Sequence, residues 1–177
     1  MEDVRAIAAR PHATGTAENA QVREFLSRRL QALGMEVSTT QGLVDARGTE
    51  KRNRWTGRND PPATLTNLIG VLPGKDRARP AVLLMAHHDS VWGSPGAADD
   101  TAGVAAALEV IRAVRQHGQP QRDLILLLTD GEELGLQGAR QFFAANPLRT
   151  HVGAVINMEA RGGGGRTTLF QTSHQNG

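Results

Sequence analysis

The sequence predicts an α/β protein of three layers, in which a mixed, mostly parallel central sheet is covered by helices on both faces. Three uninterrupted apolar runs, at 81–86, 124–129 and 152–158, predict strands that are buried on both sides. Segments with helical periodicity separate these runs, and this alternation is typical of parallel sheets. The 177 residues suffice for one domain with its own hydrophobic core.

The first third of the chain contains a predicted amphipathic helix. Residues 17–33 place apolar side chains at helical spacing, with Thr16 in position to cap the start and Gly34 the end. A strand is expected around 35–39. Residues 45–63 are polar, rich in arginine and interrupted by Gly and Pro, so we expect a long solvated loop there.

The rest of the chain alternates strands with helices. The remaining predicted elements are strands at 65–73 and 167–172, helices at 101–116 and 136–145, and a flexible loop at the four glycines 162–165.

Composition excludes several classes of function. A formal net charge of +2 does not indicate binding to nucleic acid or to a membrane surface. The chain has no cysteine, so disulfides and thiolate metal sites are excluded and any metal must be bound by nitrogen and oxygen. No apolar run reaches the roughly 18 residues of a membrane span, so membrane association would need segments outside this chain. Oligomeric state has no signal in the sequence.

Polar clusters follow each of the three apolar runs. The first run ends in His87-His88-Asp89, the second leads into 130–133 (Asp-Gly-Glu-Glu), and Glu159 follows the third. The carboxyl ends of parallel strands share one edge of a sheet, so these clusters are expected to converge, with Asp99-Asp100 before the next helix. Taken singly, such residues are often helix caps. Together, their carboxylates would raise one another's pKa, and a divalent cation would relieve the repulsion.

Strand geometry assigns directions to these side chains. His87 and Asp89 are two residues apart on extended chain and point to the same side, whereas His88 points to the opposite side. His87 is therefore the favoured metal ligand, and Asp89 can orient its ring. The adjacent Glu132 and Glu133 cannot face the same way, so one would bind metal while the other accepts a proton from an activated water.

The same residues resemble a known family. The chain resembles the M28 zinc peptidases, which include bacterial aminopeptidases and the endoplasmic-reticulum metallopeptidase branch, in the motifs HHDS, GAADDTAGVAAALEV, TDGEELGLQGARQF and NMEARG and in the segment PHATGTAENAQVREFLSRRLQALG. The resemblance implies a three-layer zinc-exopeptidase-like fold with two zinc ions. It also implies export or membrane association, and a peptide or protein as the substrate.

The resemblance implies a role for each site residue. The implied metal ligands are His87, Asp99, Glu133 and Glu159, with Asp99 bridging the two ions, while Glu132 is the general base and Asp89 the carboxylate behind His87. Many relatives have aspartate where this chain has Glu159; the endoplasmic-reticulum branch has glutamate. The family's last histidine ligand is expected beyond Gly177 rather than at His174. Residues 1–177 are thus expected to be the N-terminal portion of a single catalytic domain.

These inferences predict a zinc-dependent peptidase, specifically an aminopeptidase, that uses a metal-activated water and a glutamate base. Nitrogen and oxygen ligands also suit manganese or cobalt. Three alternatives remain open: a deacylase or dipeptidase of the M20 type, an acyltransferase similar to glutaminyl cyclases, and an inactive binding domain on a peptidase fold.

Overall fold

A computed structural model describes residues 1–160, 166–169 and 171–173. Its elements, in chain order, are α1 (Glu2–Ile7), α2 (Ala17–Ala32), β1 (Glu36–Leu43), α3 (Ala46–Thr56), β2 (Thr64–Leu72), β3 (Ala81–His87), α4 (Ala102–Gln116), β4 (Leu124–Thr129), α5 (Gln137–Ala145) and β5 (Val152–Asn157). An irregular turn at Ala97–Thr101 precedes α4, and a short 3-10 helix at Pro147–His151 precedes β5.

The five strands form one mixed sheet in the order β1-β2-β4-β3-β5. The β1–β2 and β2–β4 pairs are antiparallel, whereas β3 pairs in parallel with both β4 and β5. Four strands therefore run in one direction and only β2 runs in the other, which confirms the predicted mixed, mostly parallel sheet.

Helices cover both faces of the sheet, as predicted. Because side chains alternate along a strand, Leu126 and Leu128 of β4 join the core beneath α1, α2 and α4, while Ile125 and Leu127 join a second core with Phe142 of α5. The result is the expected three-layer arrangement, and it leaves the ends of the strands free to carry polar residues.

The expectation of a loop at 45–63 was wrong for residues 46–56, which form α3. Asp45 caps the helix by accepting a hydrogen bond from the amide of Gly48 at 2.8 Å, and Gly57 ends it in the left-handed conformation with φ of 66°. Glu50 and Arg54 add an ion pair one turn apart. The helix has too few apolar residues to produce a periodic pattern, so only its capping residues could have indicated a helix in the sequence.

The expectation that 152–158 is buried on both faces was also wrong. β5 ends at Asn157, and Val155 and Ile156 are each about half exposed. Within the described residues β5 pairs only with β3, so it lies at an edge of the sheet.

The predicted strand at 167–172 is not observed, because residues 167–169 and 171–172 have no regular structure and Phe170 lies outside the described residues. The glycines at 162–165 and His174 also lie outside them. Within the described ranges, no helix has both the length and the apolar character that a membrane span requires.

The buried face of α4 should dominate its contribution to stability. Ile111 is completely buried, whereas its neighbour Val110 is 42% exposed. We expect Ile111→Ala to lower the free energy of unfolding by about 2–5 kcal/mol through the cavity it leaves. Val110→Ala should change it by less than about 1 kcal/mol. Urea denaturation of both variants tests this, and equal losses would contradict the assigned helix orientation.

Candidate active site

Strand register brings the predicted polar clusters to one edge of the sheet. His87 at the end of β3 pairs with Thr129 at the end of β4, and Met85 pairs with Asn157 of β5. The residues that follow these three parallel strands therefore start side by side. The expected convergence is observed, and the irregular turn before α4 adds Asp99 and Asp100.

The imidazole of His87 lies at the centre of the cluster and is almost completely buried. Its Nε2 atom lies 2.8 Å from Asp99 Oδ1, 3.9 Å from Glu132 Oε2 and 4.0 Å from Glu159 Oε1. Its Nδ1 lies 2.9 Å from the main-chain oxygen of Asp89, which fits donation of the Nδ1 hydrogen to that carbonyl. Nε2 is then the nitrogen that faces the carboxylates, and loss of its proton would leave its lone pair for a metal ion.

Two groups of side chains have ligand atoms close enough to share an ion. The first is His87, Asp99 and Glu159, and the second is His87, Glu132 and Glu133. In each group the ligand atoms lie within 4.8 Å of one another. One imidazole with carboxylates is a donor set that zinc accepts, so the residues present fit a zinc ion.

Asp89 contacts the cluster through both its main chain and its side chain. Its carboxylate accepts hydrogen bonds from the amides of Glu132, at 3.1 Å, and Glu133, at 3.2 Å. The Nδ1 atom of His87 lies 3.5 Å from the Asp89 carboxylate, farther than from the Asp89 carbonyl oxygen. The Asp89 carboxylate is therefore nearer to the amides of Glu132 and Glu133 than to the ring of His87.

Asp99 and Asp100 face in different directions, and the peptide bond between them is cis. The Asp99 side chain is half exposed beside His87, whereas Asp100 is buried and accepts a hydrogen bond from the His87 amide at 3.1 Å. The absence of a side chain at Gly103 makes room for the Asp100 carboxylate, because a Cβ atom at position 103 would lie 2.2 Å from Asp100 Oδ1. Asp100 therefore supports the end of β3.

Burial and mutual repulsion change the acidity of the cluster. Burial raises the pKa of Glu132, Glu159 and Glu133, the last to about 7 with a further contribution from Asp99. Burial also raises the pKa of Asp100 to about 7.

The pKa values of His87 and Asp89 are shifted in opposite directions. Burial alone would lower the pKa of His87, but the hydrogen bond and charge of Asp89 outweigh it and raise this pKa to about 11. Burial alone would raise the pKa of Asp89, but the interaction with His87 keeps it below its usual range. The surplus of negative charge around one imidazole favours a bound cation.

Three residues beneath the site had no role in the predictions made from the sequence. The buried Asp130 accepts hydrogen bonds from the Thr66 amide at 2.8 Å, the Thr14 hydroxyl at 2.9 Å and the Asn19 amide group at 3.3 Å. Asp130 was recognisable as a polar residue that ends a buried strand. Thr14 and Asn19 are more than 100 residues distant in the chain, so nothing local connected them to Asp130. His88 turns away from the cluster, and its Nε2 lies 3.1 Å from the Thr66 carbonyl oxygen.

Comparison with curated proteins finds relatives along nearly the whole chain. The vacuolar membrane protease of Candida dubliniensis is 34% identical over 171 residues, which cover 96% of this chain and 18% of that protein. The endoplasmic reticulum metallopeptidase 1 of Mus musculus is 31% identical over 182 residues, covering 99% of this chain and 20% of that protein. The chain thus spans about a fifth of the length of these relatives.

Solved structures share the fold at low sequence identity. BSAP, a zinc aminopeptidase from Bacillus subtilis, superposes with a TM-score of 0.70 at 16% identity, over 90% of this chain and 67% of that one. The glutaminyl cyclase of Porphyromonas gingivalis superposes with a TM-score of 0.71 at 20% identity, over 90% of this chain and 59% of that one.

The family model described as peptidase family M28 matches residues 67–177, which include every residue of the predicted metal cluster. Together with the relatives, this match shows that the chain belongs to peptidase family M28.

Proposed function

We propose that this chain supplies the N-terminal portion of the catalytic domain of a zinc-dependent aminopeptidase. One observation carries the proposal: a single buried imidazole nitrogen, Nε2 of His87, is surrounded by carboxylates from three other segments of the chain. The relatives that bear the names of a protease and a metallopeptidase support peptide-bond hydrolysis.

The cluster would hold two zinc ions. His87, Asp99 and Glu159 would bind one ion. Asp99 and Glu133 would bind the other, with its last ligand from outside the described residues. By distance alone, Glu132 could also share an ion with His87 and Glu133. The resemblance to the family implies that Glu132 is the base and not a metal ligand, and we propose that role here. When bound, such a pair of ions lowers the pKa of a shared water and polarises the scissile carbonyl.

Glu132 would act as the general base. Its carboxylate lies 3.9 Å from His87 Nε2, and its amide is fixed by Asp89. Burial raises its pKa, so it would hold a proton taken from water long enough to pass it to the leaving amine. Asp89 would keep both glutamates in place, and Asp100 would keep His87 in place.

The names of the relatives also support an assignment of location. Both are named for a membrane system, the vacuole in one case and the endoplasmic reticulum in the other. We propose that the whole protein acts at such a membrane through segments outside residues 1–177.

A substrate comparison on the zinc-loaded natural protein tests the proposed activity. An aminopeptidase should cleave peptides with a free amino terminus and spare the same peptides after N-acetylation. Cleavage of N-acyl amino acids instead would indicate the M20-type activity. Cyclisation of N-terminal glutamine would indicate the activity for which the P. gingivalis neighbour is named. A folded protein that binds no zinc would indicate an inactive binding domain.

Replacement of the proposed base should separate turnover from metal binding. Glu132→Gln removes the proton acceptor but preserves shape, so we expect turnover to fall about 10²- to 10⁴-fold while zinc content is unchanged. Glu133→Gln, the matched control on the adjacent residue, should instead reduce zinc content. Elemental analysis and peptide hydrolysis of both variants provide the measurements. Normal turnover of Glu132→Gln, or loss of its zinc, would contradict the assignment.

The metal-free protein should become less stable as pH rises. The pKa of Glu133 rises from an ordinary 4.5 to about 7 on folding, and that of His87 from 6.5 to about 11. Between its unfolded and its folded pKa, each group binds more protons in the folded state than in the unfolded state. The stability that Glu133 contributes is therefore lost as pH rises to about 7, and that of His87 as pH rises from 6.5 to about 11. Melting temperatures measured without metal from about pH 5 to pH 9 should fall.

Zinc should reverse this trend, because it replaces the protons that the free cluster binds. The increase in melting temperature on adding zinc should therefore grow with pH. In the metal-free protein, Glu133→Gln should flatten the part of the curve below about pH 7. A melting temperature that does not change with pH, with or without zinc, would oppose the assigned charges.

A further inference from the structure

We propose that Thr14 is a positioning residue that fixes the Glu132–Glu133 turn from beneath the site, by holding the carboxylate of Asp89. Thr14 lies outside residues 67–177, the part of the chain that the family model matches. The inference rests on the proposed zinc peptidase activity, since it gives Thr14 a role in that site.

The Thr14 hydroxyl lies between two buried carboxylates. Its Oγ1 is 2.9 Å from Asp130 Oδ1 and 3.3 Å from Asp89 Oδ2, and Thr14 itself is only 4% exposed. A hydroxyl has one hydrogen, and both carboxylate oxygens lie within hydrogen-bond distance of it, the one of Asp130 being nearer. Without the hydroxyl, each of these two buried oxygens would keep a single donor among the described residues, the Asn19 amide group for Asp130 Oδ1 and the Glu133 amide for Asp89 Oδ2.

The Asp89 carboxylate connects Thr14 to both glutamates through hydrogen bonds. Its Oδ1 accepts from the Glu132 amide and its Oδ2 from the Glu133 amide. The oxygen that contacts Thr14 is therefore the one that holds Glu133, the proposed zinc ligand. A shift of this carboxylate would move the main chain of both glutamates relative to His87.

The segment that carries Thr14 is itself fixed against the site. The His12 amide donates to Ser90 Oγ at 2.9 Å, and Asn19 donates both to the His12 carbonyl oxygen and to Asp130. Gly15 then turns the chain into α2 with φ of 82°, where a Cβ atom would lie 2.8 Å from the Cβ of Ala63. Thr14 thus has little freedom to follow a displaced Asp89.

The test replaces Thr14 in the natural protein. Thr14→Val has nearly the same shape but lacks the hydroxyl, whereas Thr14→Ser keeps it. We expect Thr14→Val to weaken zinc binding about tenfold or more and to lower kcat by a similar factor with KM within about twofold. In the metal-free protein, the amides of Glu132 and Glu133 should exchange hydrogen about tenfold faster. Thr14→Ser should stay within about twofold of the wild type in every measurement.

Ile111→Val is the control for a purely structural effect. Ile111 is completely buried in the hydrophobic core beneath α4 and belongs to none of the hydrogen bonds that join Thr14, Asn19, Asp89 and Asp130. This variant should lower the melting temperature while zinc affinity, kcat and the two exchange rates stay unchanged. Equal behaviour of Thr14→Val and Ile111→Val would overturn the proposal.

Two further outcomes are decisive. If Thr14→Val does not fold, Thr14→Ala takes its place; if neither folds while Thr14→Ser does, the hydroxyl serves the fold rather than the site and the proposal fails. A wild-type protein that neither binds zinc nor cleaves peptides would defeat the proposed function. The exchange rates of the metal-free variants would then still decide whether Thr14 positions the glutamate turn.

Discussion

The site depends on the burial of acidic side chains around one imidazole. Asp89, Asp100 and Asp130 are removed from water, and each accepts a main-chain N–H bond from another segment of the chain. These three carboxylates have donors that compensate for burial, so they can act as fixed supports. Glu132 and Glu133 are less buried, and within the part of the chain that the structure describes their side chains accept no such hydrogen bond, which leaves their charge available to a ligand.

The sheet makes this division of roles feasible. β3 is the common neighbour of β4 and β5, so the residues after three parallel strands begin at the same level. Two of the supporting acids, Asp89 and Asp130, lie just beyond the ends of β3 and β4, whereas Asp100 comes from the irregular turn before α4. Among the proposed ligands, His87 is the last residue of β3 and Asp99 belongs to the same irregular turn. Glu133 and Glu159 follow the ends of β4 and β5 by four and two residues.

Strong local patterns predicted the fold and much of the site. The apolar runs located β3 and β4 closely, and the two-residue spacing of His87 and Asp89 predicted that His88 would turn away. The helix at 46–56 was missed because its stability comes from Asp45, Gly57 and contacts with other segments rather than from an apolar stripe. The exposure of β5 could not be predicted, since an apolar run has the same appearance in a central and in an edge strand. Thr14 and Asn19 reach Asp130 only through tertiary structure, and a single sequence contains no signal for such pairs.

The reversed direction of β2 has a consequence for which substitutions the site tolerates. Because β2 runs against its neighbour β4, its early residues lie where β4 ends, and Thr66 meets Asp130 and His88 there. Both contacts use main-chain atoms of Thr66, a nitrogen for one and an oxygen for the other. Other side chains of similar size at position 66 would preserve them, whereas proline would remove the main-chain hydrogen bond to Asp130 Oδ2. Thr66 is also buried, so variation among natural versions of this position should be limited by the size of the side chain and should lack that one residue.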